Sequence, residues 1–310
     1  MPTRMHADEL DVDVALVERL LAAQAPHLLD GRALRIVEPW GTDNAVWRLG
    51  EDLVVRLPRR PHGQRQVRFE AEWLPRLAPH LPIAVPEPVL VGEPGEGYPC
   101  AWAVHRWVPG TLAGPDTIRD PVAFAGDLAA TARALWSVPA TGAPRAVNRA
   151  RPLADYDEAT RAAIRSARHL VDEGAALAVW EEALAAPPHP GPPVWVHGDL
   201  EGNCLVVDGR LGGLVDWGIA CAGDPSVDVQ VVWSALFTVE SRAAFLAAID
   251  VDEATIARSR GAAVNQACAA LPYYLDTYPL IVERSWHKLA ALGIPAVSGA
   301  ADASRGTMRG

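Results

Sequence analysis

Val196-His-Gly-Asp-Leu-Glu-Gly-Asn203 stands between two short apolar runs. It places a carboxylate, Asp199, directly after a glycine, and an amide, Asn203, four residues later. Phosphoryl transfer asks these residue types of a loop: a base or orienter for an incoming hydroxyl, and an oxygen donor for a metal. Thirteen residues beyond Asn203, past the turn Asp208-Gly-Arg210, comes Val215-Asp-Trp-Gly218. Asp216 ends a short apolar run, where it is placed to hold Mg2+, and Gly218 is expected to let the chain turn sharply away. A hairpin between the two segments would bring Asn203 and Asp216 to one metal cluster.

Upstream of this pair the hydrophobic period is that of strands. The runs beginning at Leu34, Ala45 and Leu53 are short and β-branched, with Gly50-Glu-Asp52 as a hairpin turn between the second and third. A helix is expected before them over residues 13–24, with Val14, Val17, Leu20 and Leu21 at helical spacing. Another follows over residues 64–77, with Val67, Glu70, Leu74 and Leu77 along one side. Two further strands, near residues 87–91 and 100–108, complete an antiparallel sheet of about five strands. Beyond residue 108 the pattern is mainly helical, with helices near 121–137, 156–172, 176–185, 239–249, 253–270 and 278–292. The exceptions are three very short strands around the opening motif. The order predicts an α+β, bilobal chain: an N-terminal nucleotide-binding lobe over 1–108 and a C-terminal catalytic and substrate-binding lobe over 109–310, with a natural cleft at 106–111.

Bulk properties exclude several classes. The chain has 310 residues, half of them hydrophobic, enough for two lobes with full cores. A net charge of -10 argues against nucleic acid or an anionic membrane surface as the main partner. The four cysteines are widely spaced, without a C-x-x-C pair, and read as buried hydrophobes in a reducing compartment. Neither a signal-like apolar stretch nor a run long enough to span a bilayer is visible, so the expectation is a cytoplasmic protein. Lys288 is the only lysine, which leaves no lysine in the first 287 residues for an active-site role.

The small lobe should supply a phosphate clamp. Gly41, Thr42, Asp43 and Asn44 join the first two strands, and their backbone N–H groups could cover phosphates as a nest. Arg56 on the third strand carries the positive charge, with Glu70 or Glu72 of the following helix as its partner. Glu70 is the better placed, because it shares a helical face with Val67 and Leu74.

Together these pieces resemble the aminoglycoside phosphotransferase family of small-molecule kinases, whose fold is protein-kinase-like. The matching segments are G-T-D-N-A-V-W-R-L, L-V-V-R-L-P-R, F-E-A-E-W-L-P-R-L-A-P, H-R-W-V-P-G, H-G-D-L-E-G-N, L-V-D-W-G and G-D-P-S-V-D, in family order over roughly residues 33–235. The resemblance implies that Asp199 is the catalytic carboxylate and that Asn203 and Asp216 are Mg2+ ligands. It implies that Arg56, paired with Glu70, touches the phosphates of ATP or GTP, and that the backbone of Arg106, Trp107 and Val108 reads the base edge. His197, Asp224 and Asp228 would brace the loop. Two departures stand out. Arg56 replaces the family's usual lysine, and the interval from Asp199 to Asn203 is one residue short.

The acceptor implied is a small-molecule hydroxyl, first an aminoglycoside-type antibiotic. An acid excess after residue 110, 23 Asp and Glu against 16 Lys and Arg, mildly favours a cationic one. Macrolides, other natural products and choline-like metabolic alcohols are the alternatives within this class. A nucleotide-binding pseudokinase is the rival outside it, resting on the short loop and the missing lysine. A metal-dependent hydrolase using His197, Asp199 and Asp216 would leave the sheet lobe without a purpose.

Overall fold

The computed structural model describes residues 8–38, 41, 43–147 and 149–297. The chain divides into two compact units, Met1–Pro109 with Gly213–Gly218, and Gly110–Gly212 with Ile219–Gly310.

The first unit opens with α1 (Val14–Gln24), capped by the Asp13 carboxylate on Leu16 N–H at 2.7 Å, and the single turn α2 (Pro26–Leu29). Five strands follow: β1 (Leu34–Ile36), β2 (Asn44–Leu49), β3 (Leu53–Pro58), β4 (Pro88–Gly92) and β5 (Trp102–Arg106), with α3 (Gln64–Leu77) between β3 and β4. They form one antiparallel sheet in the order β1-β2-β3-β5-β4. Gly50, at φ +61°, turns β2 into β3.

Alternation explains why the sheet has helices on both faces. Leu53, Val55 and Leu57 of β3, with Trp102 and Val104 of β5, point to one face and share a core with Leu16, Val17, Leu20 and Leu21 of α1. Ala101 and Ala103 point to the other face and pack with Val67 of α3. Fully burying a Leu or Val side chain contributes about 1.5–3 kcal/mol, so the α1 face is the main anchor of this unit. Arg56 lies on the opposite face from Val55 and Leu57, the face that α3 covers.

The second unit is mainly helical: α4 (Pro121–Ser137), α5 (Asp157–Ala167), α6 (Glu173–Ala185), the single turn α7 (Ser226–Val229), α8 (Val239–Ile249), α9 (Glu253–Tyr274) and α10 (Pro279–Ala291). Helix α9 continues four residues past its expected end, through Pro272. A proline this close to a helix terminus removes one backbone bond without breaking the element. The strands around the opening motif fall into two sheets. β7 (Val194–Val196) pairs with β10 (Cys221–Gly223), while β8 (Cys204–Val207) lies between β6 (Thr111–Leu112) and β9 (Arg210–Leu214). β6 and β10 are too short to leave a period in the sequence.

The four cysteines are free and buried. Among the described residues, no helix is long and apolar enough to cross a membrane.

Candidate active site

Two clusters hold the residues singled out by the sequence. In the first unit, Arg56 is the centre. Its Nη1 is 2.5 Å from Glu70 Oε2 and its Nη2 is 2.7 Å from Asp216 Oδ1. Glu70 uses its second oxygen to accept the Trp217 backbone N–H at 2.9 Å. One buried glutamate thus joins the strand cation to the Asp-Trp-Gly turn. Burial works against the Arg56 charge, and the Glu70 and Asp216 carboxylates outweigh it, so the guanidinium is held protonated more firmly than usual. Glu72, the alternative partner, lies instead 3.7 Å from Arg76 in an exposed i,i+4 pair.

The Asp-Trp-Gly turn is built differently from the expectation. The left-handed residue is Asp216 itself, at φ +60°, rather than Gly218. Gly218 is required for a close approach: a Cβ there would lie 2.6 Å from Gln66 Cβ on α3. Trp217 is fully buried and its indole N–H donates to Leu214 O at 2.9 Å.

Sequence reasoning missed His105, which is fully buried with its Nδ1 4.0 Å from Glu70 Oε2. Both ring nitrogens lack hydrogen-bond partners. Burial, and then the Arg56 charge, push its pKa down to about 3, so it is a neutral ring at any physiological pH.

The remaining expected nucleotide residues are also in the first unit. Arg59 Nη1 donates to Gly41 O at 3.1 Å and Arg59 N–H to Asp43 O at 2.7 Å, so one arginine holds both ends of the loop before β2. Asn44 is buried at the start of β2. Thr42 lies outside the described residues. The Arg106 N–H donates to Glu87 O and the Trp107 N–H to Asp52 O, both at 2.8 Å. Those two donors are committed within the protein, which leaves Val108 as the member of the trio whose N–H has no partner among the described residues. Arg48 stacks over the Trp107 ring at 4.1 Å.

In the second unit the loop after β7 is pinned from behind. The buried Asp228 carboxylate accepts the N–H of His197 at 3.1 Å, that of Gly198 at 2.8 Å, and the Trp136 indole N–H at 3.2 Å. Burial raises its pKa, and those donors act against the rise. Gly198 has φ +83°, a conformation that a side chain would strain. His197 Nδ1 accepts the Asp199 N–H at 3.2 Å, which places the ring proton of the neutral form on Nε2. Asp228 and His197 therefore brace the loop. Asp224 is engaged elsewhere: it pairs with Arg258 at 2.7 Å and accepts the Ser226 N–H.

The Asp199 side chain is a third exposed, and its Oδ1 is 2.9 Å from Arg149 Nη1. Burial acts to raise its pKa, but Arg149, helped by His197 and then Lys288, outweighs burial and holds the carboxyl below its ordinary value. Arg149 also donates to Gly198 O at 2.7 Å. The Asn203 amide donates through Nδ2 to Asp199 O at 2.7 Å, so its Oδ1 is the atom available to a cation.

Lys288 and Arg149 join His105 as residues to which the sequence reading gave no role. Lys288, almost wholly buried on α10, is 2.8 Å from Glu201 Oε2 and also donates to Gln266 Oε1. One turn earlier Arg284 packs against Gly202, where a Cβ would lie 2.7 Å from its guanidinium. The lone lysine thus anchors the shortened interval between Asp199 and Asn203. Its position on the buried stripe of Val282, Ser285 and Leu289 was the available signal. Arg149 sits in an irregular segment that carries no such pattern.

An antiparallel sheet carrying a buried cation–carboxylate pair, followed by a helical unit with a braced Asp loop, is the arrangement of the protein-kinase-like fold. The sequence profile of the phosphotransferase enzyme family matches residues 33–263, and the chain belongs to that family. Solved structures agree in fold. The GDP and kanamycin complex of APH(2")-IIia superposes with TM-score 0.69 at 19% identity, covering 89% of this chain and 98% of that one. Macrolide 2'-phosphotransferase MphH from Brachybacterium faecium gives TM-score 0.59 at 26% identity, covering 89% and 97%. A macrolide 2'-phosphotransferase type I gives 0.62 at 23% identity, covering 92% and 98%. No curated protein matches the chain.

Proposed function

We propose that the chain moves the γ-phosphoryl group of ATP or GTP to a hydroxyl of a small molecule, in the manner of an antibiotic or metabolic-alcohol kinase. Family membership supports the reaction class. The neighbours include complexes named for GDP with kanamycin and for streptomycin with ATP, which supports a nucleotide donor and a small-molecule acceptor. The observation that carries the reading is Asp199: a partly exposed carboxylate, kept ionised by Arg149, on a loop whose backbone Asp228 fixes.

In this reading Asp199 accepts the hydrogen bond of the incoming hydroxyl and takes its proton as the oxygen attacks phosphorus. Asn203 holds the carbonyl behind Asp199 and so fixes the aim of the carboxylate. Arg56 offers its fork to phosphate oxygens, and Glu70 keeps it oriented. Val108 N–H is the linker donor for the base edge.

Each donor that the resemblance assigns to Mg2+ has the chemistry this ion takes. Among the described residues no cluster of three His, Cys, Asp or Glu could hold a metal, whereas Asn203 Oδ1 and the Asp216 carboxylate are hard oxygens. Mg2+ uses such donors sparingly, taking its other ligands from water and phosphate. When bound it would neutralise charge on the phosphates.

The test is nucleotide consumption, with ATP and with GTP, against a panel of aminoglycosides, macrolides and metabolic alcohols. Asp199→Asn, close in shape but unable to take a proton, should lower kcat about 100- to 10,000-fold. Full turnover by that variant would remove Asp199 from the mechanism. Nucleotide binding without transfer to any acceptor would favour the pseudokinase reading.

A further inference from the structure

A cavity of about 330 Å³ lies within the second unit beside the Asp199 loop. The two are joined by Arg149, which lines the cavity and contacts both Asp199 Oδ1 and Gly198 O. Its volume is at the lower end for small-molecule sites, suited to a molecule of about disaccharide size.

The lining is unlike a site for a polyamine. Among the described residues that form it, none is Asp or Glu. Its two cations already have carboxylate partners, Arg149 with Asp199 and Arg151 with Asp155, each at 2.9 Å. An acceptor with several ammonium groups would find no carboxylate in this lining, and the two beside it are already held by guanidinium groups. Tyr156, Tyr273 and Tyr274 supply aromatic surface instead, the last two packed edge to face at 4.7 Å.

Gln230 gives the second observation. It lines the cavity, is 6% exposed, and its buried Oε1 has no hydrogen-bond partner. Buried acceptors are rarely left empty, and a turn of the Gln230 side chain toward the cavity it lines would let this oxygen receive a donor from a ligand. The other lining amides are engaged, Asn265 with Thr160 and Gln266 with Lys288.

We propose that this cavity holds the phosphate acceptor, and that the acceptor is an uncharged hydroxylated molecule with an apolar or aromatic face, such as an aryl glycoside, which donates to Gln230 Oε1. The acid excess of the sequence does not carry over to this lining, and a polycationic aminosugar is the wrong chemistry for it. What happens to the bound molecule rests on the phosphotransferase reading; what the cavity binds does not.

The experiment pairs calorimetry with nucleotide consumption in the full chain, using 4-nitrophenyl glucoside as the uncharged probe and kanamycin as the polycation. The glucoside should bind and be phosphorylated with kcat/KM at least about tenfold above kanamycin. Kanamycin turned over equally well or better, or no binding of the glucoside, overturns the inference. Glucoside binding with no nucleotide consumed would sink the phosphotransferase reading and leave the cavity assignment standing. Gln230→Leu should weaken glucoside binding about tenfold without lowering Tm, since it removes an unpartnered buried oxygen. Unchanged affinity in that variant, or a fall in Tm with affinity intact, makes Gln230 structural and overturns its role. Ala269→Trp fills the cavity and should abolish glucoside binding in a chain that keeps its far-UV circular dichroism. Retained binding overturns the location.

Discussion

The two functional clusters use charge in opposite ways. In the first unit one guanidinium serves two carboxylates, Glu70 and Asp216, and its pKa is moved further from the physiological range. In the second unit Asp199 is surrounded by cations, Arg149 in contact and Lys288 through the field, and stays a third exposed. The first arrangement keeps its guanidinium charged across the physiological range. The second keeps a carboxylate both ionised and reachable, which is what a group that must exchange a proton requires. Burial separates Glu70 from the other acids: it is almost wholly enclosed, whereas Asp216 and Asp199 both keep a face to water.

Breaking the scaffold should have the largest effect on stability. Arg56→Met leaves Glu70 buried beside Asp216 with no cation, and should cost about 3–5 kcal/mol in urea unfolding. Arg56→Lys keeps the charge but loses the fork, so it should fall between wild type and Arg56→Met. A loss below about 1 kcal/mol for Arg56→Met would mean that the cluster is not an integral part of the fold. Lys288→Met breaks the contrast from the other side. It strands Glu201, whose Oε1 already lacks a partner, and should cost about 3 kcal/mol. Because Lys288 helps to hold the Asp199 pKa down, its loss should also move the acid limb of the kcat profile to higher pH. An unmoved acid limb would restrict Lys288 to a purely structural part.

What could be read from the chain follows the same division. Helices α3 and α4 lie where the 3.6-residue period places them, because each buries one mainly apolar stripe. The Arg56–Glu70 pair was legible because both positions sit on faces fixed by alternation in β3 and by the helical period in α3. Asp228 as a brace was legible only through the resemblance, since a buried aspartate bonded to backbone N–H groups leaves no period. Arg149 was not legible at all: an irregular segment has no face, and its contact with Asp199 spans 50 residues of chain. Lys288 was half legible, as the only lysine of an arginine-rich chain on an apolar stripe. The left-handed Asp216 was hidden because glycine two residues later drew the turn to itself.

His105 offers the smallest and sharpest test. It is buried against the scaffold, neutral, and neither ring nitrogen finds a partner. Its folded pKa is about 3 and its ordinary value is 6.5, so below pH 6.5 the unfolded chain binds a proton that the folded chain refuses. Stability is therefore lost as pH falls from 6.5 toward 3, by up to about 1.4 kcal/mol per pH unit from this group. His105→Leu removes two unsatisfied nitrogens from the core and keeps most of the volume. It should stabilise the protein by about 1 kcal/mol at pH 7, and the gain should widen at pH 5. Urea unfolding of both proteins at the two pH values reads the difference. A destabilised variant, or a gain that shrinks at pH 5, would show that the ring is bonded or charged in the folded chain.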